Sequence, residues 1–79
     1  MIDAQLVTNL VVMAYNTGLL QYDTLTVKGI TVEMKMKTHF NMLTFTYRGD
    51  NLAFTVWNTD SDDLTERMIH AIVKELLTA

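Results

Sequence analysis

Four carboxylates crowd one short stretch of this chain: Asp60, Asp62, Asp63 and Glu66, with Ser61 among them. A cluster of oxygens can hold a hard cation. The calcium-loop pattern, however, requires a glycine after its third ligand and a glutamate in its last position. Asp63 stands where that glycine belongs, and Ile69 where the glutamate belongs. Helix capping accounts for the cluster better. Asp60 with Asp63, or Asp63 with Glu66, gives an acidic pattern suited to the positive end of a helix dipole. Ser61 is the sole serine. It sits in a capping position rather than on a nucleophile elbow. His39 and His70 are the only histidines, and cysteine is absent. Neither histidine has a second ligand at metal-binding spacing, so both are expected to be solvated. Phosphate loops and dinucleotide fingerprints are missing as well. The chain is therefore not expected to be an enzyme, nor to hold a metal or cofactor.

A second set of residues offers recognition rather than reaction: Tyr22, Lys35, Lys37, Phe40, Met42 and Trp57. Aromatic and methionine side chains are enriched where proteins meet. Whether they can act together depends on the elements that carry them.

Residues 4–17 have helical periodicity, with Leu6, Val7, Leu10, Val11, Ala14 and Tyr15 on one arc and Gln5, Thr8, Asn9 and Asn16 opposite. Asp3 is a natural N-cap, Ile2 and Val7 occupy staple positions, and Gly18 suits the left-handed residue that closes a helix. Met13 and Val12 widen the apolar arc, and Val12 falls inside the polar side. This helix is expected either to be wedged between the sheet and the second helix or to turn its extra apolar edge to a partner chain.

Ile30, Val32, Met34 and Met36 alternate with Thr31, Glu33, Lys35 and Lys37, the pattern of a half-buried strand. Lys28-Gly29 makes a two-residue turn that places Val27 opposite Ile30 and Leu25 opposite Val32. A second hairpin turns at Arg48-Gly49-Asp50-Asn51, pairing Tyr47 with Leu52, Phe45 with Phe54 and Leu43 with Val56. The first three of those turn residues spell an adhesion tripeptide, but the turn itself explains the glycine. Between the hairpins, the loop Thr38–Asn41 pairs Lys37 with Met42. Asp23 would fall on the apolar face if the first strand ran back to Tyr22, so that strand starts near Thr24 or bulges. The last segment is helical, with Leu64, Met68, Ile69, Ile72, Val73 and Leu76 as its buried stripe and Asp63–Arg67 as an i,i+4 ion pair.

These elements predict a single α+β domain over residues 1–79: helix 4–17, strands at about 24–28, 30–37, 42–48 and 51–57, and a helix at about 61–77. The fold is two-layer: a four-stranded antiparallel meander with the N- and C-terminal helices on one face, in the order α-β-β-β-β-α. The opposite sheet face stays open. Its expected rows are Lys37–Met42–Trp57, Tyr22–Lys35–Thr44–Thr55 and Glu33–Thr46–Ala53.

Composition narrows the partners. The net charge of −3 opposes phosphate binding, so nucleic acid is not an expected ligand. No stretch has the length or basic flank of a membrane span or signal peptide, which points to a cytoplasmic location. A domain of 79 residues without disulfides has a small core, and such scaffolds often self-associate.

The order of elements resembles the double-stranded RNA-binding domain. That family, however, opens its last helix with a lysine cluster, where this chain has Asp60, Asp62 and Asp63, so the RNA-binding function does not carry over. In size and acidity the chain is similar to small inhibitor proteins such as immunity proteins, antitoxins and phage-encoded anti-defence or host-takeover proteins, which would place it in a host cytoplasm. The expected function is that of a protein-interaction module, an inhibitor or adaptor that occludes a protein partner and forms a homodimer. Trp57, Met42, Tyr22, Lys35, Lys37, Phe40 and Val12 are the candidate interface residues. Two alternatives are a nucleotide- or small-ligand-sequestering protein using Tyr22, Lys35, Lys37 and Trp57, and a structural subunit of a larger assembly.

Overall fold

Lys28-Gly29 and Arg48-Gly49 take left-handed backbone at every position, with φ of 53° and 85° in the first pair and 50° and 86° in the second. Two such residues in succession make the type I′ turn, whose twist matches that of the strands it joins. The computed structural model describes residues 3–78. Its strands are β1 (Leu25–Val27), β2 (Ile30–Met36), β3 (Phe40–Tyr47) and β4 (Asp50–Trp57). They form one four-stranded antiparallel sheet in chain order. Helix α1 (Ala4–Asn16) precedes the sheet and α2 (Asp62–Thr78) follows it. Both pack on the same sheet face, giving the α+β order α-β-β-β-β-α.

The first hairpin has the expected register, Val27 opposite Ile30 and Leu25 opposite Val32. The other two pairings are corrected by two residues. Met42 faces Lys35 rather than Lys37. Tyr47 faces Asp50, and Phe45 faces Leu52. The cause is turn length. Arg48-Gly49 alone reverses the chain, as Lys28-Gly29 does, and Lys37 N–H donates to Phe40 O at 2.9 Å, leaving only Thr38-His39 at the tip. A shift of two keeps every side chain on its own face, which a shift of one would not.

Gly18, at φ 80°, ends α1 and opens a short 3-10 turn over Leu19–Gln21. That turn occupies chain the sequence assigned to no element. It delays β1 until Leu25, so Asp23 lies outside the strand and its carboxylate accepts from Thr24 N–H at 2.8 Å. Asp3 caps α1 by accepting from Gln5 N–H at 2.9 Å. Ile2, its expected staple partner, lies outside the described residues.

The core joins Val7, Val11 and Ala14 of α1 to Ile30, Val32, Leu43, Phe45 and Val56 of the sheet and Ile69, Val73 and Leu76 of α2. Two helices sharing one sheet face must also pack on each other, and this rotates both from their expected faces. Thr8, assigned to the polar side, is fully buried, and its hydroxyl donates to Ala4 O at 2.7 Å. Thr65 replaces Leu64 in the buried stripe of α2, while Leu64 and Met68 are exposed. Leu6, placed on the buried arc, is exposed as well.

Candidate functional site

The sheet face opposite the helices carries Thr26, Thr31, Thr46 and Asn51 in one cross-strand row, Glu33, Thr44 and Ala53 in the next, then Lys35, Met42 and Thr55. Its last pair is Phe40 with Trp57. Strict alternation along each strand puts these residues on the side away from the core. The corrected register therefore breaks the expected row: Trp57 is paired with Phe40, and Met42 lies one row away on the same face. Lys37 follows the last residue of β2.

The Phe40 and Trp57 rings lie 5.0 Å apart, tilted by 53°, a favourable aromatic geometry. Trp57 is nonetheless 51% exposed. Its backbone is held firmly. Trp57 N–H donates to the Asp60 carboxylate at 2.9 Å, and Asp60 N–H returns a bond to Trp57 O at 2.9 Å. Asn58 N–H donates to His39 O at 3.0 Å, and the Asn58 amide donates to Thr38 O at 3.2 Å. The two loops are thus laced together beneath the aromatic pair. The result is an apolar patch of Phe40, Trp57 and Met42 on a fixed scaffold, with Lys35 and Lys37 beside it.

Two candidates lie elsewhere. Tyr22, 87% exposed, leaves the sheet altogether. It borders a shallow groove shared with Lys35, Asp23 and Glu33. Val12 is half-buried and faces α2, in a cleft lined also by Tyr15, Asp62, Glu66 and Ile69. The structure therefore brings together Phe40, Met42, Trp57, Lys35 and Lys37, and separates Val12 from them.

The acidic run divides its labour. Ser61 Oγ, rather than an aspartate, caps α2 by accepting from Leu64 N–H at 3.1 Å. Asp60 braces Trp57, and Asp63 pairs with Arg67 Nε at 3.2 Å. Among the described residues, no three His, Asp or Glu side chains converge where a cation could sit. No described helix is long and apolar enough to cross a membrane.

A further apolar surface lies at the edge of α1 that Met13 widens, and it extends to residues the sequence did not join to that edge. Met13, Leu19 and Leu25 border a groove of about 420 Å³ between α1 and the edge strand β1, floored by Ala14 and Val27. The available signal was the spacing of Leu6, Leu10 and Met13, a second apolar stripe beside the buried one. Comparison with protein-family models, curated proteins and solved structures finds no match to this chain.

Proposed function

We propose that this chain is a non-enzymatic interaction module that binds a protein partner on the open face of its sheet and acts by occluding the surface it covers. Trp57, Phe40 and Met42 form the apolar centre, and Lys35 and Lys37 form a cationic rim. The partner surface that complements them has an apolar centre flanked by carboxylates. One observation carries the reading. A large aromatic pair is held half-exposed on a hydrogen-bonded backbone, on a face that neither helix covers. Ordering such side chains before binding removes an entropic cost that a mobile patch would incur. The ligand-sequestering alternative gains less support. A phosphate beside Tyr22 and Lys35 would meet Asp23 and Glu33 in the same groove.

The test is affinity capture from cells, with the captured protein then titrated against purified variants. Trp57→Ala and Met42→Ala are expected to weaken binding at least tenfold, as truncation of a buried interface anchor does. Arg67→Ala, on the far side of the molecule, is expected to leave it unchanged. Undiminished binding by both Trp57→Ala and Met42→Ala, with native circular dichroism, would exclude this surface.

A further inference from the structure

Helix α1 carries two apolar stripes. Val7, Val11 and Ala14 are buried against the core. Leu6, Leu10 and Met13 follow the spacing i, i+4, i+7 on an adjoining face, the spacing of a helix–helix seam. Leu6 and Met13 are 46% and 57% exposed, and Leu10 is half-buried. Next to this stripe runs the groove between α1 and β1, with Leu19 and Leu25 on its rim. The surface thus has a ridge and a furrow side by side, the shape that a copy of itself can fill.

The charge distribution makes this the face where two copies of a negatively charged chain can meet. No charged residue lies between Asp3 and Asp23, in a chain that has 15 charged side chains and a net charge of −3. The polar residues flanking the stripe are Gln5, Asn9 and Thr17, and the Gln5 amide already donates to Asn9 Oδ1 at 2.8 Å. Helix α2 carries Asp62, Asp63, Glu66 and Glu75 against Arg67 and Lys74, so two copies meeting there would bring together faces of the same net negative charge. Two copies meeting through α1 bring no like charges together. An uncharged, apolar, self-complementary face fits an isologous two-fold contact, in which the same patch serves both chains. We infer that a second copy of this chain docks here, Leu6, Leu10 and Met13 of each packing against α1 and the α1–β1 groove of the other. The partner-binding sheet face remains free on both chains, so this dimer does not depend on the function proposed above.

The 79-residue chain should sediment as a dimer at about 100 μM, where a micromolar dimer is close to saturated. The double variant Leu6→Lys with Met13→Lys should sediment as a monomer with unchanged helical circular dichroism. Because the chain has no cysteine, single-cysteine variants give an independent reading. Under mild oxidation Met13→Cys should form a disulfide-linked pair and Leu64→Cys should not. Trp57→Ala should leave the dimer intact. A wild-type monomer, a dimer that survives both lysines, or preferential cross-linking at residue 64 would each overturn the assignment. If the lysine variant fails to fold, the cysteine pair decides.

Discussion

Asn41 Nδ2 donates to the Tyr15 hydroxyl at 3.1 Å, tying the end of α1 to the start of β3. Asn41 occupies a core-facing position of its strand, between Met36 and Val56. Both partners of the bond are half-buried. Removing one partner of such a bond costs more than removing both, because the survivor keeps its desolvation penalty without its compensation. Tyr15→Phe is therefore expected to lower unfolding free energy by about 1 kcal/mol. Adding Asn41→Leu should recover part of that loss. Urea titrations of the two variants decide it: a Tyr15→Phe midpoint equal to wild type would mean that the bond contributes nothing. The same reasoning makes Asp60 more than a surface charge, since it holds the backbone of Trp57 in place.

The hairpins show what a sequence reveals of an element and what it hides. Alternation told which face each residue of β2, β3 and β4 takes, and that assignment survived because the register moved by an even number of residues. The open position of Trp57 and Met42 was legible for this reason. Their partners were not. Pairing depends on turn length, and Arg48-Gly49-Asp50-Asn51 fits either a long loop or a tight turn on composition alone. Thr8 and Leu64 were misplaced for a different reason. A helical wheel gives the apolar arc, but only a neighbouring helix decides which edge of that arc is covered. The turns also give a prediction. Lys28 holds a φ of 53°, a conformation that asparagine tolerates better than lysine. Lys28 is exposed. Lys28→Asn should thus raise the midpoint of denaturant unfolding, by about 0.5 kcal/mol in stability. Gly29→Ala should lower it by about 1 kcal/mol, since its φ of 85° strains any Cβ, even though the space beside the Tyr47 ring, 3.4 Å away, would admit one. Equal midpoints for all three proteins would contradict the turn geometry.

At the scale of the whole molecule the two proposed surfaces differ in charge, and so in their response to salt. The sheet patch is rimmed by Lys35 and Lys37, whereas α1 bears no charge from Ala4 to Asn16. Screening weakens attraction between exposed charges and leaves apolar contact untouched. Raising ionic strength should therefore slow partner association without dissociating the dimer. Folding gives the complementary signal. In a chain of 79 residues the core is small, and dimerisation couples unfolding to dissociation. From typical unfolding enthalpies, a tenfold rise in chain concentration should lift the thermal midpoint of such a dimer by roughly 4–5 °C. The midpoint of Leu6→Lys with Met13→Lys should show no such dependence. Calorimetry at low and high salt, over a tenfold range of concentration, tests the placement of the dimer on α1. A concentration dependence that vanishes in high salt would mean that charged groups, and hence some surface other than α1, hold the copies together.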